Sequence, residues 1–536
     1  MKKFLLLLLT SILIISPLFN AQINYDIFIK INKTADIENI INSTPFIMPL
    51  VKMKDYYIAL ASGKELRKFD SENIQYQFLS NYKTNISYYL VNYKSPDSLL
   101  KIKTQGEAII LEQGIAFFIY KKQNEPPKLP RDTFISAITI SKEKLPVLKP
   151  KAIPQLPFIA KDNNIALILS KVSIQEFTNN IAKLQSFKTR YYDREGCFKA
   201  ANYIFNYFNS LGLQTEYQYF YVYGKQTQNI VATQYGKSDP DNIVLITAHY
   251  DSYSYDLDNA PGADDNASGV AAVMEAARIL HNYDFDFTIK YIAFGAEELG
   301  LYGSAYYATN AANKKEKIIG VINLDMISYV DLIPEELNIA SDEKSQWLGN
   351  IFVSLTNTYT NIQSVNTVDP SFRWSDHASF WHVNYDAILA IEDLNITNPF
   401  YHSPGDTLNT LSLSFGIETT KGAIANVIYL AQLFDPHLPK PPKNITLQSI
   451  YSYSLFDARK HIIISWQPNN TNISGYNIYR SDISHYNYTK LNSTLITNST
   501  YKDSYIHPDT LYYYVITSIS PNNLESHFSA EVSEND

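Results

Sequence analysis

Cysteine, arginine and long apolar runs are all scarce in this chain, and each scarcity excludes something. Its 536 residues hold one cysteine, Cys197, so no intrachain disulfide can brace the fold. That cysteine also lies too deep in the chain to be the lipidated residue of an exported lipoprotein, which must follow the cleavage point directly. After Ile15 no apolar run approaches the roughly 20 residues a membrane-spanning helix needs, so no membrane span is expected. Lys and Arg total 45 against 53 Asp and Glu, a net charge of −8. Proteins that neutralise nucleic-acid phosphates carry the opposite excess, so nucleic acid is not an expected partner.

What is present begins with Met1-Lys2-Lys3 followed by the short apolar segment from Phe4 to Ile15. A charged start and a brief apolar stretch have the form of a secretory signal. Residues 1–21 are therefore expected to be a signal peptide and the protein to be secreted, extracellular or periplasmic. Residues 22–125 show short alternating runs such as Tyr25 to Ile29 and Ile86 to Val91, and a hairpin pattern around Glu112-Gln113-Gly114. This predicts a β-rich domain, either a propeptide or a retained accessory unit. A Pro- and Lys-rich passage suggests a linker over 126–171.

Residues 172–437 read as an α/β domain with a mostly parallel central sheet flanked by helices. The run Asn242 to Ala248 is almost wholly apolar, as in a strand buried on both faces. His249 and Asp251 follow at its carboxyl end, where open α/β sheets hold their ligands. The loop Pro261 to Gly269 (PGADDNASG) then leads into a helical stretch of Ala, Val, Met and Leu. An Asp-Asp-Asn cluster before a helix is by itself an ordinary cap. Two further apolar strands also end in acids, however: Thr288 to Gly295 runs on to Glu297-Glu298, and Ile318 to Leu324 ends on Asp325. Ser375-Asp376-His377 and Tyr401-His402 come later, the second pair beyond the apolar run Ala387 to Ile391. Imidazoles and carboxylates repeated at one end of a sheet suit zinc, which takes nitrogen and oxygen ligands and in catalytic sites keeps a position open.

The order of HxD, PGADDNASG, AEELGLYGS, LDM, SDH and YHS motifs resembles peptidase family twenty-eight, the co-catalytic zinc aminopeptidases, over roughly 172–436. The resemblance implies two zinc ions as cofactors and peptides as substrates. It makes His249, Asp264, Glu298, Asp325 and His402 the metal ligands, with Asp264 bridging, and Glu297 the general base. It further implies that Asp251 holds the other ring nitrogen of His249, and that the peptide bond after the bridging aspartate, here Asp264-Asp265, is cis. Asp265 and Asn266 are left to hold the turn, and Asp376 with His377 to form a hydrogen-bonded pair on the inner wall. Where some relatives have a tyrosine hydroxyl, this chain reads Phe372-Arg373-Trp374. Arg373 is thus either an oxyanion partner or a solvated loop cation. Were it to bind a substrate carboxylate, the scaffold would serve a carboxypeptidase. A glutaminyl-cyclase-like transferase with one zinc is a further alternative, and a decayed binding protein is disfavoured because every expected ligand is present.

Residues 438–536 contain short strands around His461 to Trp466, Gly475 to Arg480 and Leu511 to Thr517. They resemble a fibronectin type III domain, a β-sandwich with Trp466 as core anchor. Its expected role is spacing or attachment to a surface or polymer.

Overall fold

The computed structural model describes residues 27–137 with short interruptions, and residues 161–534 apart from 333, 396, 454–457, 470–472, 486–487, 505 and 508–509. The expected signal peptide, 1–21, and residues 138–160 of the expected linker lie outside the described residues.

The N-terminal unit contains β1 (Ile27–Asn32), β2 (Ile47–Lys52), β3 (Tyr56–Ala61), β4 (Tyr76–Asn81), β5 (Ser87–Tyr93), β6 (Glu107–Glu112), β7 (Ile115–Tyr120) and β8 (Thr133–Ala137). They form two antiparallel sheets of four, ordered β2-β3-β1-β4 and β6-β7-β5-β8. The unit thus runs past its expected end at 125, because Thr133–Ala137 pairs with β5 despite its proline-rich surroundings. A helix over Asn163–Leu169 also falls within the expected linker. Asp162 caps it, accepting from the Asn164 N–H, and it buries Ile165, Ile168 and Leu169.

The central sheet contains β9 (Gln214–Val222), β10 (Lys225–Gln234), β11 (Asn242–His249), β12 (Thr288–Phe294), β13 (Lys317–Leu324), β14 (Glu336–Ser341), β15 (Gln363–Val368) and β16 (Ala387–Ile391). Their spatial order is β15-β14-β16-β13-β11-β12-β10-β9. This sheet is mixed, not mostly parallel as expected. The joins from β16 through β13 and β11 to β12 are parallel, but β14 against β16, β12 against β10 and β10 against β9 are antiparallel. The central strands β11, β12, β13 and β16 are largely buried on both faces and show the nearly unbroken apolar run that marks a parallel strand. Along β11, Val244, Ile246 and Ala248 enter a core with the helices Gly269–Leu280 and Leu413–Ala431. Ile243 and Leu245 enter the opposite core with the helices Tyr302–Lys314 and His377–His382.

The C-terminal strands form a three-stranded and a four-stranded sheet. Trp466, Ile462 and Ile464 from one meet Tyr476, Ile478, Tyr514 and Ile516 from the other in a single core, which is the packing of a β-sandwich.

Candidate active site

Four adjacent parallel strands deliver the polar groups at their carboxyl ends. His249 is the last residue of β11, Glu297 and Glu298 follow β12, Asp325 follows β13, and the loop after β16 carries His402. In register, His249 stands opposite Phe294, and Leu324 opposite Ala390. Burial of the strands fixes these ends next to one another. The backbone at the junctions is strained: Ala296, Met326 and His402 have φ of 58°, 50° and 51°, left-handed values that disfavour a side chain.

The carboxylate between the two imidazoles belongs to Asp265, where Asp264 was expected. Asp265 Oδ1 lies 3.3 Å from His249 Nε2, and its Oδ2 lies 3.4 Å from His402 Nε2. Asp325 Oδ1 is 3.2 Å from His249 Nε2, and Glu298 Oε2 is 2.9 Å from His402 Nε2. Glu297 stands further back, 3.9 Å from His249 Nε2. All of these side chains are buried.

Asp264 faces away from the imidazoles and holds the loop. Its Oδ1 accepts from the Ser328 N–H at 3.0 Å and its Oδ2 from Asn398 Nδ2 at 2.9 Å, while the carboxyl group of buried Glu392 shares a hydrogen bond with it. Asp406 accepts from both the Asp264 and Asp265 N–H groups at 2.8 and 3.0 Å. With both backbones pinned to one carboxylate, adjacent side chains leave in different directions, so Asp265 faces the imidazoles and Asp264 braces the loop. The cis peptide bond is accordingly Asp265–Asn266, not Asp264-Asp265. Asn266 does hold the turn: its Nδ2 donates to the Leu324 carbonyl and its Oδ1 accepts from the Gly269 N–H. Gly269 is required by this approach, because a Cβ there would sit 2.4 Å from Asn266 Oδ1.

Asp251 differs from expectation as well. His249 Nδ1 meets the Asp251 backbone carbonyl at 3.2 Å, while the nearer Asp251 side-chain oxygen is 3.7 Å away. The Asp251 carboxylate instead accepts from the Glu297 and Glu298 N–H groups at 3.1 and 3.2 Å, and so aims the acidic turn. Asp376 and His377 do not pair. His377 Nε2 is 2.6 Å from the Phe372 carbonyl and its ring stands edge-on to Trp381, whereas Asp376 is buried, with Ser304 as a hydrogen-bonding neighbour. Arg373 lies with its guanidinium 5.9 Å from the centre of the Trp381 ring, and it does not line the cavity beside the cluster.

Several contributors escaped the sequence reading. Ser375 donates to Asp325 Oδ2 at 2.6 Å and accepts from Asn323 Nδ2, whose Oδ1 accepts from Thr247. Arg190 is buried beneath the acidic loop and donates to the carbonyls of Tyr250, Pro261 and Gly262. Tyr401 stacks on His402 at 3.7 Å and lines the cavity. Ser375 and Tyr401 carried a signal, the first its place in the SDH motif and the second its place next to His402.

The electrostatics are those of a site built around positive charge. Burial pushes Glu297 well above the ordinary carboxylate range and Glu298 up to about 7. Burial alone would lower both imidazoles, yet Asp325 and Glu297 hold His249 well above its usual value, and Glu298 with Asp265 raises His402 to about 9. Burial would likewise raise Asp265, but hydrogen bonds from His249 and His402 outweigh it and hold this carboxyl below its ordinary range. Carboxylates this close cannot all ionise without cations among them. Two overlapping sets, His249-Asp265-Glu298 and His249-Glu297-Asp325, each place their ligand atoms within 4.8 Å of one another. Buried Glu298 Oε1 has no hydrogen-bond partner among the described residues, as befits a ligand atom. The donors fit zinc in kind: imidazole nitrogen and carboxylate oxygen.

A helix-covered α/β sheet bearing such a cluster at its strand ends defines a metallopeptidase-type hydrolase. The chain belongs to peptidase family M28, whose description matches residues 229–427. A probable aminopeptidase of Saccharomyces cerevisiae is 31% identical over 268 residues, covering 47% of this chain and 71% of the relative. A probable zinc metalloprotease of Pyricularia oryzae is 31% identical over 216 residues, 34% of this chain and 43% of the relative. In fold the chain is similar to the crystal structure of LapB from Legionella pneumophila, with a TM-score of 0.53 at 21% identity, over 65% of this chain and 100% of that one. Hydrolase chemistry and zinc are what these relationships indicate.

Proposed function

We propose that the protein is a secreted aminopeptidase holding two zinc ions. The observation that carries this reading is Asp265, whose two oxygens face different imidazoles at 3.3 and 3.4 Å. His249 and Asp325 would hold one ion, Glu298 and His402 the other, and Asp265 would bridge them. Zinc held there supplies Lewis acidity, polarising a carbonyl and bringing the pKa of a water from 15.7 towards about 7.

Every other step falls to the chain's own groups. Glu297, with a raised affinity for protons, takes one from the attacking water and returns it to the departing amine. Asp251 orients it through the Glu297 N–H. The Ser375 hydroxyl fixes the rotamer of Asp325, as outer groups commonly do for metal ligands. The buried carboxylates favour a free α-ammonium at the cleaved residue. Among the described residues lining the cavity none is Lys or Arg, so a substrate carboxylate would lack a counter-charge, which disfavours the carboxypeptidase alternative. Two imidazoles, His249 and His402, at opposite oxygens of Asp265 disfavour a one-zinc transferase.

The export reading rests on residues 1–21. The two-sheet C-terminal core around Trp466 supports a fibronectin type III-like unit, with attachment to a surface or polymer as its role. Glu297→Gln tests the mechanism: zinc content should stay at the wild-type level while hydrolysis of free-amine peptides drops at least about 100-fold. Turnover near wild type would remove Glu297 from the reaction.

A further inference from the structure

The cavity beside the cluster, about 160 Å³, is lined in part by Asn92, Thr133 and Ile135 from the N-terminal unit. Across from them stand Met326, Phe372, Leu389, Ile391 and Leu394, so much of the wall is apolar. Thr133 is 0% exposed, and its hydroxyl oxygen has no hydrogen-bond partner among the described residues. A buried hydroxyl in that state costs stability unless something else satisfies it. Thr133 and Ile135 sit two residues apart on β8, hence on one face of the sheet, opposite Tyr93 and Val91 of β5.

The unit is not loosely laid over the site. Val91, Phe118 and Ile135 share one buried core with Phe220, Val222, Ala296 and Leu299 of the catalytic region. Tyr89 Oη is 2.8 Å from Tyr223 Oη and 3.4 Å from Tyr302 Oη, at the start of the helix that follows the Glu297-Glu298 turn. Removing the unit would expose that apolar core and unpack the residues flanking Glu297.

We propose that the N-terminal β-unit is a working wall of the substrate cavity, in which the Thr133 hydroxyl hydrogen-bonds the bound peptide and Ile135 limits the space for its first side chain. This rests on the aminopeptidase reading above. It makes the unit a retained part of the enzyme, not an inhibitory segment to be shed.

The zinc-loaded full chain tests it. Thr133→Val should raise KM for a leucyl peptide about fivefold, one hydrogen bond's worth, and should raise the unfolding midpoint, because a buried hydroxyl without a partner has been removed. Thr133→Ser should restore KM. Ile135→Ala should move the kcat/KM ratio of phenylalanyl to alanyl substrates upward at least threefold, and Ile135→Trp should move it downward. An unchanged KM or a lowered midpoint in Thr133→Val means that the hydroxyl has a partner within the protein, and the contact is overturned. A side-chain preference unmoved by both Ile135 variants overturns the wall. Failure of the aminopeptidase reading registers separately, as wild-type enzyme that leaves free-amine peptides intact. In that event calorimetric binding of leucinamide to wild type and Thr133→Val reads the same contact, and equal affinities overturn it.

Discussion

Replacing each of the two adjacent aspartates by asparagine separates a bridging carboxylate from a loop brace. Asp265 has one charged partner at each oxygen, at 3.3 and 3.4 Å. A hydrogen bond involving a charged group contributes about 1.5–3 kcal/mol. Losing the charge at both oxygens should therefore cost about 3–6 kcal/mol, or about 10²–10⁴ in zinc affinity. Asp264 touches no imidazole and serves Ser328, Asn398 and Glu392. Its asparagine variant should behave like the loss of an outer support, with a reduction of about 10–100-fold. Zinc content measured by mass spectrometry after dialysis against a graded chelator, with leucyl-peptide hydrolysis in parallel, reads both variants. Asp265→Asn should lose zinc and activity at chelator levels that Asp264→Asn withstands. The reverse order, with Asp264→Asn stripped and Asp265→Asn still loaded, would refute the assignment.

Arg190→Lys should fail to replace arginine, because a single ammonium cannot span the Tyr250, Pro261 and Gly262 carbonyls. Leaving even two of them unsatisfied costs about 2–6 kcal/mol, to be read as a lower denaturation midpoint together with weaker zinc retention. Chelation should lower the unfolding temperature as well as abolish activity, since zinc at about 1,000 times its dissociation constant stabilises by about 4 kcal/mol. A midpoint indifferent to chelator would argue against metal in the buried cluster. His377 is fully buried and its pKa is pushed down to about 3 by burial, against about 6.5 when unfolded. Between those values the unfolded chain binds the extra proton, so stability falls with pH, by about 2 kcal/mol from pH 6.5 to pH 5. Chemical denaturation of the metal-free proteins should show that slope in wild type and a shallower one in His377→Gln; equal slopes would contradict a buried neutral imidazole.

The ends of β11, β12 and β13 were legible because their apolar runs are nearly unbroken, and a strand that must be buried on both faces brings whatever follows it to one edge. That logic places His249, Glu297, Glu298 and Asp325 together without any contact being known. It weakens toward the sheet's margins. In β9 the side chains alternate between exposed and half-buried over much of the strand, a pattern that leaves strand direction undetermined, and the antiparallel joins went unforeseen. It fails in loops, where no period assigns a side chain to a face. Asp264 and Asp265 are chemically identical neighbours, and what distinguishes them is Ser328 and Asn398, both more than 60 residues away along the chain. Asp251 makes the same point from the other side. The family resemblance implied His249 as the partner of its carboxylate, yet that carboxylate accepts the Glu297 and Glu298 N–H groups. A carboxylate buried at 0% exposure needs several donors, and one imidazole nitrogen offers a single proton where two backbone amides offer two. The resemblance favoured the imidazole, but the demand for donors is met by the turn that carries the base.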